Sequence, residues 1–279
     1  MTTPRTETTP PTASVARMSR ATASTGRIYF WQGGSLWIGR GTGRTEWHEH
    51  HAHQLVVAPE GAFRFRTQAQ GQWESFEGAL VPSHCTHQFE IEGLAIAHLF
   101  VEPESRAGRL LTDGFGVAAV SPLPAEASRA SARTLFEVFE STPGHEPMVD
   151  AAAKAVAQLC GATTEADRAL DPRLTRALAY IRANICNPIA LGDVAAAVAL
   201  SESRFRHLFV AETGSSFRAY LLWLRINLAI EAAMAGASWT EAAHAAGFAD
   251  SAHLTRTHKR VFGIEPSAVR PQAMSGSTS

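Results

Sequence analysis

Four histidines stand within six residues of this 279-residue chain, in His48-Glu49-His50-His51-Ala52-His53. Two more follow in Val81-Pro82-Ser83-His84-Cys85-Thr86-His87, and His98 lies beyond them. Grouped imidazoles can hold a divalent metal, since neutral imidazole suits Zn, Fe and Ni alike. They can equally line a pocket for a small effector, or stand on an exposed loop. On a strand His48 and His50 point to one face, being two residues apart. His48, His50 and His87 are therefore the residues for either a metal or an effector pocket, and the spacing leaves that choice open. Other chemistry is missing: there is no Ser/His/Asp order, no P-loop and no dinucleotide fingerprint. Gly39-Arg40-Gly41-Thr42-Gly43 lacks the strand-to-helix context that a phosphate loop needs.

These histidines sit in a region with β texture. Short apolar or alternating runs (Ile28–Trp31, Leu36–Ile38, Gln54–Ala58, Phe63–Arg66, Ala95–Val101) are separated by turns such as Gly33-Gly34 and Pro59-Glu60-Gly61. Such spacing predicts an antiparallel barrel or sandwich over residues 26–104. Residues 1–25 and 272–279 are expected to be disordered tails, poor in large apolar groups. Helix-forming composition takes over at 105–170, with helices expected at Ala125–Glu140 and Glu146–Leu159. Their apolar stripes, through Leu135, Val138 and Phe139 and through Val149, Val156 and Leu159, suit a core or a dimer seam.

Charge separates the two halves. The whole chain has 25 basic and 26 acidic side chains, a net of −1. Residues 1–170 hold 14 and 18, a net of −4, while residues 171–279 hold 11 and 8, a net of +3. An architectural DNA binder that relies on phosphate neutralisation would need a much larger excess. Cys85, Cys160 and Cys186 are scattered, so neither a disulfide framework nor a four-cysteine zinc site is expected, and a reducing cytoplasm is the default. No apolar run reaches the roughly 18 residues that a membrane span requires.

From Asp171 the chain reads as helix, with Asp171 as N-cap and Pro172 at the first helical position. Leu174, Leu178, Ile181 and Ile185 form its stripe, which ends before Asn187-Pro188. An internal repeat follows. Leu191, Val194, Ala195 and Val198 in one copy correspond to Trp239, Ala242, Ala243 and Ala246 in the other. Each copy continues with a tight turn (Ala199-Leu200; Gly247-Phe248), a polar cap and a second helix ending at Gly214 or Gly263. Two short helices joined by a tight turn make a helix-turn-helix. Between the copies, Ser216 to Ala235 reads as one helix, long enough at about 30 Å to set two recognition helices in successive major grooves.

Residues 171–271, and above all LSESRFRHLFVAETGSSFRAYLLWLRINLA and GFADSAHLTRTHKRVFGIEPSAVR, resemble the paired helix-turn-helix domain of AraC/XylS-type transcription regulators. The sequence departs from that pattern at Leu254, His258 and Val269, where the family usually has aromatic residues. The resemblance implies that Ser203, Arg206 and His207, then Ser251, Ala252, Thr255 and Arg256, meet DNA bases. Arg204, Arg218, Lys259 and Arg260 are read as phosphate contacts. Helical geometry agrees, because burying Phe205, Leu208, Phe209 and Leu254 turns those polar residues outward.

The histidine segments resemble the two motifs of the cupin barrel, a frequent sensor domain in this family. Metal-binding cupins add a Glu after the first motif, where Gln54 stands here. A barrel mouth with Trp47 and Trp73 would suit a small aromatic or anionic effector. The expected architecture is thus α+β: a cupin-like antiparallel barrel, a helical connector and dimerisation segment at 105–170, and an all-α double helix-turn-helix domain. The expected function is a cytoplasmic, homodimeric, non-enzymatic regulator of promoter or operator DNA. It would respond to a small molecule and possess a surface for RNA polymerase. Whether it activates or represses stays open, and the alternative is a metal-dependent cupin enzyme fused to a DNA-binding domain.

Overall fold

Alternation of side chains across two faces builds the N-terminal part of the computed structural model, which describes residues 22–115, 119–141, 144–161 and 169–271. Of the tails expected at 1–25 and 272–279, residues 1–21 and 272–279 lie outside the described residues. Strands β1 (Ala23–Trp31), β2 (Gly34–Arg44), β3 (His53–Val57), β4 (Phe63–Arg66), β5 (Glu74–Phe76), β6 (Gly78–Val81) and β7 (Gln88–Val101) pair antiparallel. β1 begins three residues inside the stretch expected to be a tail, since Ala23 already faces Thr42 in register.

The sheet is not a closed barrel. Its path runs β8-β6-β3-β7-β2-β1-β9, with β8 (Ser121–Pro122) and β9 (Val269–Pro271) at the two ends and β4 and β5 branching from β7. Closure is unnecessary because helices cover the open face. Leu36, Ile38, Leu55, Leu80 and Leu99 on the strands share one core with Leu111, Leu135, Met148, Val156 and Leu159. These last five come from α1 (Arg106–Phe115), α2 (Ala125–Ser141) and α3 (His145–Cys160). α2 and α3 match the two expected helices closely, and α1 was not foreseen. The helices thus spend Leu135, Val156 and Leu159 on the sensor's own core instead of a dimer seam.

The C-terminal part comprises α4 (Pro172–Asn184), α5 (Leu191–Ala197), α6 (Glu202–Thr213), α7 (Phe217–Met234), α8 (Trp239–Ala245) and α9 (Ser251–Phe262). Caps fix the starts: side chains of Asp171, Ser201, Ser216, Ser238 and Asp250 accept from backbone N–H groups in the first turns that follow. Gly214 and Gly263 end α6 and α9 in the left-handed conformation. The turns inside the two copies share one left-handed position, taken by Gly247 (φ 76°) in the second and by Ala199 (φ 57°) in the first. Alanine there carries backbone strain that glycine avoids.

The two parts are docked, not merely tethered. β9 pairs parallel with β1, and Trp37 and Phe100 of the sheet lie 4.7 and 5.7 Å from the ring of Phe262 on α9. Ala52 and Phe100 join Trp223, Ile226, Leu254 and Phe262 in one buried cluster, so the second helix-turn-helix completes its core against the sheet. Leu254 and His258, two of the departures from the family pattern, are fully buried. His258 donates from Nδ1 to the Ile264 carbonyl at 2.8 Å, and burial lowers its pKa to about 4.

Candidate nucleic-acid interface and histidine pocket

α6 turns Phe205 and Phe209 into the core, and this rotation leaves Ser203, Arg204, Arg206 and His207 exposed on the opposite face. On α9, burial of Leu254, Thr257 and His258 leaves Ala252, Arg256 and Arg260 exposed, with Ser251 and Thr255 half-buried. The Thr255 hydroxyl donates to the Ser251 carbonyl at 2.9 Å. Lys259 is held by Glu46 of the sensor at 2.9 Å and by Glu265 at 3.6 Å, so a phosphate would have to displace those carboxylates. Arg218 stands exposed at the start of α7. At 18 residues α7 is about 27 Å long.

His48 and His50 do not lie on a regular strand: β3 begins only at His53, and His48 forms an isolated bridge with His87. The imidazoles meet nonetheless. One ligand atom each from His48, His50 and His87 lies within 4.8 Å of the others, and all three residues are buried. Their Nδ1 atoms are anchored to the carbonyls of Glu46, Ala52 and Cys85 at 2.9, 2.7 and 2.8 Å. Such bonds fix the tautomer and leave Nε2 with the lone pair. The His87 Nε2 is buried without a hydrogen-bond partner.

Burial first, and neighbouring imidazoles second, hold His48 at about 3 and His87 well below the usual histidine range. His50 and His98 are lowered to about 4, with burial again the largest cause. Neutral imidazoles settle the Gln54 amide, which lies 2.9 Å from His50 Nε2 and 2.8 Å from His98 Nδ1. The structure sets Gln54 Oε1 toward His50 and its Nε2 toward His98; with His50 neutral and donating through Nδ1, the flipped amide, donating to His50 and accepting from His98, completes both bonds.

Beside this cluster a cavity of about 110 Å³ opens between the sheet and the end of α9. Trp37, Ile96, Phe89, His98 and Gln54 form its walls, and Phe262, Ile264 and Val269 form its roof. Trp47 and Trp73 line no such mouth. Their rings are covered by guanidiniums, with Arg66 at 5.3 Å from Trp47 and Arg44 at 4.8 Å from Trp73.

The sequence reading missed a buried polar network between the two parts. Glu102 accepts from Trp223 Nε1 at 3.1 Å and from Arg182 at 2.7 Å. Glu104, His51, Ser215 and His84 form a chain with steps of 2.9, 2.7 and 2.6 Å. Burial, then the charge of Glu104, raises the Glu102 pKa to about 6; for Glu104 burial also pushes upward, but His51 together with hydrogen bonds from the backbone and Tyr220 brings the carboxyl down. Ser215 is only 2% exposed and engaged by both imidazoles, which makes the chain a latch and leaves no free nucleophile. The one sequence signal was Glu102-Pro103-Glu104 at the end of an apolar strand.

A β-sheet domain docked on a duplicated helix-turn-helix is the class that fold and surface define. Residues 194–272 match the family described as a helix-turn-helix domain. The uncharacterized HTH-type transcriptional regulator YidL of Escherichia coli strain K12 is 33% identical over 108 residues. That stretch is 37% of this chain and 36% of YidL, so the chain matches about a third of its relative's length. A transcriptional regulator from Chromobacterium violaceum with an AraC-type DNA-binding domain is 31% identical, covering 34% of this chain and 87% of that one at a TM-score of 0.33. ToxT from Vibrio cholerae O395 shares the fold of both parts at 11% identity, covering 88% and 94% of the chains at a TM-score of 0.51. The C-terminal domain belongs to the AraC-type helix-turn-helix family of transcription regulators. No helix among the described residues is long and apolar enough to cross a membrane.

Proposed function

We propose that the chain is a sequence-specific DNA-binding transcription regulator that acts in the cytoplasm, with the sheet domain as its small-molecule sensor. The observation that carries this is the duplicated helix-turn-helix, with the polar face of α6 exposed and α7 spacing it from α9. Pairing of two copies would set these helices on repeated half-sites, with RNA polymerase as a further partner. The effector pocket is the cavity under Phe262, and its walls suit a small, largely apolar molecule with one polar group for Gln54 or His98. A structure of ToxT with a bound unsaturated fatty acid, at a TM-score of 0.50, supports a sensor of this fold. A ligand there touches the end of α9 directly, which gives it a route to the placement of that helix. No catalytic role is assigned.

Selection of DNA fragments by the purified protein, followed by gel-shift titration, tests the reading. Arg206→Ala and Arg256→Ala are each expected to weaken the selected site by about 1–3 kcal/mol while changing random DNA little. Enrichment of no motif would refute the regulator.

A divalent metal at His48, His50 and His87 is a second reading of the sensor site. It is favoured by three convergent neutral imidazoles and by the unpartnered His87 Nε2. Against a strong site stands Gln54, an amide where metal cupins carry a carboxylate, and it already occupies His50 Nε2. Equilibrium dialysis with Zn²⁺ is expected to show one ion per chain, lost in His87→Ala. Equal uptake by both proteins would remove the metal.

A further inference from the structure

A cleft of about 580 Å³ separates α9 and the start of α7 from the histidine loops of the sensor. Arg256 and Arg260, one helical turn apart, face it from α9, and Arg218 faces it from the first turn of α7. Glu49 and His84 stand on the opposite wall. Several arginines outside the cleft are matched with carboxylates (Arg44 and Arg64 with Glu90, Arg173 with Asp171, Arg182 with Glu102), and Arg40 and Arg225 are held by backbone carbonyls. Arg218, Arg256 and Arg260 are exposed and form no ion pair among the described residues. Three guanidiniums against one carboxylate give the cleft an excess of two positive charges among its Arg and Glu side chains. The N-terminal end of the 18-residue α7 adds the positive pole of its dipole.

His84 gives a second, independent sign that the rim is built. Its φ of 58° is one of two left-handed values at non-glycine residues among those described. Strain of that kind persists where surrounding contacts impose it. Here Ser215 holds the ring through Nε2 at 2.6 Å, which fixes the imidazole at the cleft.

We infer that this cleft is a binding site for a small anion with two or more negative charges, a phosphate ester or a di- or tricarboxylate, clamped between Arg218, Arg256 and Arg260. Guanidinium forks match both anion types bidentately. Duplex DNA is excluded as the occupant while the domains are docked, because the sensor loops form the facing wall. Resting on the regulator reading, the site has a further consequence: the anion and DNA compete for Arg256, so the bound anion opposes DNA binding.

Isothermal titration of the full chain with inorganic pyrophosphate and with citrate, in the absence of DNA, tests the site. One anion per chain is expected, Arg260→Gln should weaken it at least tenfold, and Glu49→Gln should tighten it a few-fold. Both side chains are exposed, and the two variants predict opposite signs, so a folding defect cannot imitate the pattern. Binding of pyrophosphate alone assigns phosphate chemistry, and binding of citrate alone assigns carboxylates. No binding of either, or equal affinities in all three proteins, overturns the inference. That result would leave the regulator reading untouched, since DNA selection is measured separately.

Discussion

Lowering the pH from 7 to 5 is expected to remove on the order of 10 kcal/mol of stability from the metal-free protein. Five buried histidines carry the effect. His48 is depressed to about 3, and His50, His53, His98 and His258 to about 4, each chiefly by burial. An unfolded histidine takes up its proton near pH 6.5, whereas these folded ones stay neutral until pH 3 to 4. Between those values the unfolded state binds more protons, so stability falls as pH falls. At pH 5 each group contributes about 2 kcal/mol of that loss. Glu102, raised to about 6, works the other way, because its folded form gains a proton first. One carboxyl does not offset five imidazoles. A domain's whole stability is about 5–15 kcal/mol, so denaturation near pH 5 follows. Urea midpoints at pH 7 and pH 5, with a chelator present, measure it. His258→Phe should recover about 2 kcal/mol of the difference, since it removes one titrating group from the core. A profile flat over this range would show that the histidines are not buried as described.

Helices α4 to α9 were legible because their apolar spacing, capping serines and aspartates and terminal glycines all act within one or two turns. The sheet was legible as strands but not as an open path. Its opening depends on Leu135, Met148 and Val156 covering one face, and the helical stripe alone does not name the surface it will meet. The histidine triplet could be read from spacing, although the strand assumed for His48 and His50 is irregular. The domain interface was not legible, since it joins His51 to Ser215 and Glu102 to Trp223, 164 and 121 residues apart. Gly263 shows what local reading leaves out. Its position marks a helix end, yet a Cβ there would stand 2.5 Å from His48 Nδ1 and 2.6 Å from the Glu46 carbonyl oxygen. Its missing side chain lets the sensor loop approach α9.

Glu102→Ala is expected to destabilise the protein by about 3 kcal/mol. The carboxylate is buried and satisfies two donors of the C-terminal domain, Arg182 and the indole of Trp223. Trp223 is 3% exposed and cannot turn its N–H to water, whereas Arg182, with 29% of its side chain exposed, partly can. The loss therefore falls at the lower end of the range for a broken buried pair. Glu102→Gln keeps an oxygen for Trp223 while giving up the charge, and should lose roughly half as much. A double-mutant cycle with Arg182→Met isolates the pair. Alone, Arg182→Met strands a buried carboxylate; combined with Glu102→Ala it strands only the Trp223 N–H that Glu102→Ala strands already, so the combined loss should be smaller than the sum by about 2 kcal/mol. Because this latch and the Phe262 cluster are both part of the sensor–reader interface, loosening it should also weaken effector control while leaving the DNA-facing side of α9 at least as accessible. Gel shifts of Glu102→Ala should retain the selected site while losing its response to effector. Additive losses in the cycle would show that Glu102 is stabilised by its own domain and that the interface is held by apolar packing alone.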